Sequence, residues 1–118
     1  MYEPENEIYI NNRGYAYFLN EEYTLALEDF DLATSINKDY AFAYSNKSAT
    51  LIKMQEYTDA ISEATIAIDL NPQYGYAYLN RGIAKEMIRD KKGACIDWIK
   101  AEELGVQSAS AHLSNTCN

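Results

Sequence analysis

The chain has little of what breaks or bridges a backbone: two prolines, five glycines and two cysteines among 118 residues. With so few breakers no β-rich block competes with the apolar spacing, which is helical throughout. A single histidine, His112, and cysteines as far apart as Cys95 and Cys117 match no metal-ligand spacing, so neither a metal nor another cofactor is expected. Catalytic signatures are missing too. There is no Gly-rich phosphate loop, no Ser or Cys in a nucleophile setting and no histidine beside an acid partner, so the chain is not expected to be an enzyme. Cations are scarce: 10 Lys and Arg face 18 Asp and Glu, a net charge of −8 that argues against a nucleic-acid backbone or an anionic membrane as partner. No apolar run approaches the about 18 residues of a membrane span, and Met1–Asn12 is acidic and polar rather than leader-like. For the chain as given a soluble, cytoplasmic location is favoured, with the periplasm open if a leader was removed.

What is present is a period. Asn12-Arg13-Gly14, Asn46-Lys47-Ser48 and Asn80-Arg81-Gly82 recur at intervals of 34 residues. Ala26, Ala60 and Ala94 keep the same phase, as do Ala33, Ala67 and Ala101, and Phe30, Ala64 and Trp98. Ile36, Leu70 and Leu104 close each unit, and Tyr40 and Tyr74 open the passage to the next. A fixed period of this length marks a repeat array, in which each unit buries its apolar face against its neighbours.

The spacing, the small residue and the paired alanines resemble the tetratricopeptide repeat. The resemblance covers nearly the whole chain, with repeats at 7–40, 41–74 and 75–108 and a capping helix at 109–118, in one domain spanning 1–118. It implies an all-α fold, an α-solenoid with a right-handed superhelix of three helix-turn-helix units. The family's signature Trp is replaced by Ile10, Tyr44 and Tyr78, and its closing Pro survives only as Pro72, with Lys38 and Val106 at the matching places. The stretch from Lys92 to Gly105 also resembles the final repeat of many bacterial tetratricopeptide proteins, in which cysteines recur at the positions of Cys95 and Cys117.

Within the first repeat, helix A is expected over Glu7–Leu19 and helix B over Tyr23–Ile36, with the turn Asn20-Glu21-Glu22 forcing them antiparallel. Gly14, Ser48 and Gly82 lie mid-helix, where Gly costs about 1 kcal/mol relative to Ala. Their reason is close approach to helix B through Ala26, Ala60 and Ala94. Met1–Asn6 is expected to fray. The terminal segment is expected to turn Ala111 and Leu113 toward the last repeat, with Ser110, Ser114 and Asn115 outward. The two cysteines permit one disulfide but are read as buried or half-buried thiols, because free Cys packs as a small hydrophobe.

Function must then come from a surface. On helix A, positions i, i+4, i+7 and i+11 share one face. They are Ile8, Asn12, Tyr15 and Leu19 in the first repeat, Phe42, Asn46, Ala49 and Lys53 in the second, and Tyr76, Asn80, Ile83 and Met87 in the third. The resemblance puts this face on the concave groove of the superhelix. Its expected peptide-binding residues are Ile8, Asn12, Tyr15, Phe42, Asn46, Tyr76, Asn80 and Ile83: asparagines to pair with an extended backbone, aromatics to fill pockets. The asparagines can equally bond between repeats, to residues such as Tyr40 and Tyr74. Arg13, Lys47 and Arg81 are read as salt bridges to Asp29, Glu63 and Asp97 rather than as a rail for a ligand carboxylate. Co-chaperones of the family grip heat-shock tails with a clamp of lysines, asparagines and an arginine. At those places this chain has Asn11, Tyr15, Asn46, Tyr76 and Asn80, of which only Asn46 fits, so chaperone-tail binding is not expected. The reading is a protein-protein interaction module that binds an extended, partly apolar peptide segment of a protein partner. The alternative is a structural self-association unit, a homo-oligomer whose groove another copy fills.

Overall fold

The structure is a computed structural model that describes residues 6–117. The fraying expected of Met1–Glu5 and the last residue of the expected cap, Asn118, lie outside the described residues. Among the described residues seven helices follow one another: α1 (Glu7–Leu19), α2 (Tyr23–Ile36), α3 (Ala41–Lys53), α4 (Tyr57–Leu70), α5 (Gly75–Met87), α6 (Lys91–Glu103) and α7 (Ala109–Thr116). They stack into an elongated body of 51 × 25 × 21 Å, with α1–α2, α3–α4 and α5–α6 as hairpin pairs. Asn6 does not fray: its side chain caps α1 by accepting from the Tyr9 N–H at 2.9 Å.

The turn inside each pair ends helix A the same way. Glu22, Glu56 and Asp90 donate back to the carbonyls of Tyr17, Leu51 and Lys85 at 2.8–2.9 Å, and the residue before each donates to Phe18, Ile52 and Glu86. This is the Schellman closure, which needs a left-handed residue at its centre. Glu21, Gln55 and Arg89 fill that place with φ of 61°, 64° and 70°. None is Gly or Asn, so composition gave no sign of the left-handed turn.

Contact between helices A and B rests on size complementarity. Phe30 and Trp98 are fully buried, and a Cβ at Gly14 would lie 2.8 Å from Phe30, one at Gly82 2.5 Å from Trp98. The close partners of these glycines are therefore the large residues of helix B, not Ala26 and Ala94. In the middle repeat helix B carries Ala64 in place of the ring, and Ser48 fits instead, donating its hydroxyl to the Ala60 carbonyl at 2.8 Å. The lost signature Trp is replaced twice by a tyrosine that reaches the junction between repeats. Tyr44 donates to the Lys38 carbonyl at 2.9 Å, and Tyr78 to the Pro72 carbonyl at 3.0 Å.

The three cations of the triplet are held by acids of the B helices. Arg13 meets Asp29 through two hydrogen bonds of 2.7 and 2.9 Å, and Arg81 meets Asp97 through two of 2.8 Å. Lys47 lies 3.0 Å from Glu63 and 2.7 Å from Asp31 of the preceding repeat. Burial alone would pull the Lys47 ammonium down, but its hydrogen bonds to Asp31 and Glu63 and their charge outweigh that and raise its pKa. Asp29 and Asp97 are nearly buried, so each needs its cation.

Helix α7 closes the C-terminal end. Gly105, at φ 94°, ends α6 with the same Schellman bonds, and α7 then turns Ala109, Leu113 and Cys117 inward at four-residue intervals. Ala111, expected on that side, is exposed, because it falls between the positions of this stripe. His112 stacks on Trp98 at 4.7 Å. Cys117 is bonded to Cys95 of α6, and there is no free cysteine. The reading of two separate thiols is thus overturned: the inward stripe of α7 carries Cys117 to within 5.9 Å, Cα to Cα, of Cys95. Linking residues 22 apart removes about 3 kcal/mol of chain entropy from the unfolded state.

Candidate functional site

Helices α1, α3 and α5 lie side by side and leave a groove of about 680 Å³ along their shared face. Asn12, Tyr15, Phe42, Asn46, Tyr76 and Asn80 of the expected site line it, together with Ala49. Ile8 and Ile83 do not. Ile8 is 52% exposed beyond the groove. Ile83 packs against the cluster around Trp98, while α7 reaches across to α5 through a 2.7 Å bond from Thr116 to Glu86. The face read from a straight helix therefore fits at its centre and fails toward its ends, where Ile8 lies past the groove and Ile83 is drawn into other contacts.

Asn11, Phe18, Tyr40, Ser45 and Tyr74 also line the groove and were missed. Asn11 and Ser45 hold the same place in successive repeats, one residue before Asn12 and Asn46. They matter because they receive the asparagines. Asn46 donates to the Asn11 side-chain oxygen at 3.1 Å, and Asn80 donates to the Ser45 carbonyl at 3.1 Å and to its hydroxyl at 3.2 Å. Each asparagine ties its own A helix to the preceding one, so part of the row is structural. Asn12 has no preceding repeat among the described residues and stays exposed. Tyr40 and Tyr74 act on the same ties, reaching Asn11 and Ser45 rather than the asparagines of the row.

The Ser45 carbonyl can only accept, which fixes the Asn80 amide with its NH2 toward Ser45. Its Oδ1 is left to accept from something else.

The aromatic residues form a connected wall. Tyr40 and Phe42 meet edge to face at 5.6 Å, Phe42 and Tyr74 at 4.9 Å, and Tyr74 and Tyr76 lie tilted at 6.0 Å. Tyr15 and Phe18 stack at 6.1 Å on α1. Burial raises the Tyr74 phenol, and the neighbouring Tyr76, Tyr15 and Tyr40 add to that against the opposing pull of Ser45. Burial also raises Tyr40, reinforced by the Glu7 carboxylate. Tyr40 and Tyr74 thus stay neutral donors and acceptors at physiological pH. Among the described residues no Lys, Arg, Asp or Glu lines the groove, and no helix is long and apolar enough to cross a membrane.

No protein-family model and no curated protein matches the chain. Solved structures do. The second TPR domain of human RPAP3, in complex with the HSP70 peptide SGPTIEEVD, superposes with a TM-score of 0.86 at 25% identity, covering 95% of each chain. The Arabidopsis OM64 TPR domain gives 0.85 at 23% identity, over 94% of this chain and 96% of that one. The first TPR of Spaghetti (RPAP3), bound to the HSP90 peptide SRMEEVD, gives 0.82 at 19%, over 95% and 96%. All are tetratricopeptide-repeat domains, a non-catalytic class. With helix pairs, phase and end helix in agreement, the chain has the fold of these tetratricopeptide-repeat domains, three helix pairs closed by a C-terminal helix.

Proposed function

We propose that this domain is a protein-interaction module that takes an extended, partly apolar segment of a partner protein in the groove of α1, α3 and α5. The observation that carries this reading is the aromatic wall. Phe42 and Tyr76 are 44% and 53% exposed although they sit in a concave site beside buried polar ties. Exposed rings grouped in a concavity mark an interaction site rather than a folding requirement. Structurally similar domains are bound to peptides, which supports a peptide-binding role. In this groove the exposed Asn12 amide would meet the backbone, the Asn80 oxygen would accept from the ligand, and Tyr15, Phe42 and Tyr76 would hold side chains.

The test uses residues whose loss leaves the repeat ties intact. Phe42→Ala combined with Tyr76→Ala should abolish capture of a partner while helicity is unchanged. Undiminished capture would remove the groove from consideration. Self-association is the competing reading, and the same variants decide it: a concentration-dependent mass that disappears with the two rings would mean that another copy fills the groove. The Cys95–Cys117 bond supports an oxidising compartment over the cytoplasm.

A further inference from the structure

Groove chemistry narrows the partner, on the assumption that the groove is a peptide site. Two of the similar domains named above are bound to peptides ending in EEVD, rich in carboxylate. A carboxylate needs cations or converging N–H donors, and this groove offers neither in quantity. Among the described residues no ionised side chain lines it, and Arg13, Lys47, Arg81 and Lys85 are held by acids of helices α2, α4 and α6. The amide of Asn80, a natural donor, is turned to Ser45 and presents an acceptor instead.

What the groove does offer suits the opposite charge. Phe42 stands nearly perpendicular to Tyr74, at 83°, and Tyr74 is tilted by 56° to Tyr76, so the rings form walls of a recess rather than a flat stack. Aromatic faces carry negative potential and attract an ammonium or guanidinium. Glu7 lies close enough to Tyr40 to oppose its ionisation, which puts an anion beside the first ring of this wall. The whole chain, at −8, draws cationic segments toward it.

We propose that the groove selects extended segments carrying a lysine or arginine side chain, seated against Phe42 and Tyr76 with its N–H groups donating to the Asn80 oxygen, and that it discriminates against acidic tails. A cation over such rings is worth about tenfold in affinity where it is partly desolvated.

A displayed library of randomised extended peptides, selected on the intact chain, tests this. Lys or Arg is expected at one fixed place among the binders, with Asp and Glu depleted there. Replacing that residue by norleucine in a selected peptide should weaken binding about tenfold, and Glu7→Gln about twofold to threefold. Phe42→Leu and Tyr76→Leu, which keep apolar volume but remove the rings, should erase the preference for the cation, with circular dichroism confirming the fold. Binders that depend on these rings but show no cation preference, or that end in acidic tails, would overturn the selectivity and leave the peptide groove standing. Binders insensitive to both ring variants, or no binders at all, would overturn the groove reading and this proposal with it.

Discussion

The first and third repeats are built from the same parts yet end differently. Each has a glycine under a buried ring and an arginine on a buried aspartate: Gly14, Phe30, Arg13 and Asp29 in one, Gly82, Trp98, Arg81 and Asp97 in the other. In the third repeat the ring is also covered by His112, and α7 is bonded to α6 through Cys95–Cys117. Asp97 has a second cation as well, Lys85 at 3.0 Å, where Asp29 has Arg13. Identical repeat chemistry therefore supports different local stabilities, because an end helix and a spare cation are added at one end.

The largest expected effect comes from filling the space under the rings. Gly82→Leu should cost about 3 kcal/mol or more, the upper range of overpacking, and Gly14→Leu about 2 kcal/mol, because Trp98 is pinned from its other side. Urea unfolding of both variants checks the order, and equal stability of both with the parent would remove the packing assignment. Next, Cys95→Ser should cost about 2.5 kcal/mol and release α7 first, seen as early loss of Trp98 fluorescence change ahead of global unfolding. A single coincident transition would show that α7 is held by packing alone. Thiol counting on denatured, unreduced protein should find none free.

A smaller contrast separates the arginines. Arg13→Met should cost about 2 kcal/mol by leaving Asp29 without its cation, and Arg81→Met about 1 kcal/mol, since Lys85 remains beside Asp97. The reverse order would mean that burial of Arg81 outweighs the spare cation. The smallest effect is alkaline. Lys47, Tyr40 and Tyr74 all have folded pKa values raised above their ordinary ones, so their contribution is complete below those values and is lost as pH climbs through the folded ones. Stability should begin to fall above the ordinary phenol value of 10.0, and less steeply in Tyr74→Phe.

Much of the molecule was legible as phase. The bounds of α1 and α2, the burial of the alanine rows, and the pairing of Arg13, Lys47 and Arg81 with Asp29, Glu63 and Asp97 follow from a repeat that must satisfy itself in every copy. Less of the site was legible. Asn46 and Asn80 hold a place where ligand and inter-repeat bonds look alike in one dimension, and the choice depends on how near the previous A helix comes.

The sequence by itself determined the period, the helix pairs and, for each cation of the triplet, its acid within the same repeat, because those contacts lie within one repeat length and recur with it. Tertiary structure alone decided which way the Asn80 amide turns, that Ile83 packs against the core, and that Cys95 meets Cys117. These depend on the stacking of whole repeats and the docking of α7, which bring together residues that no fixed spacing relates.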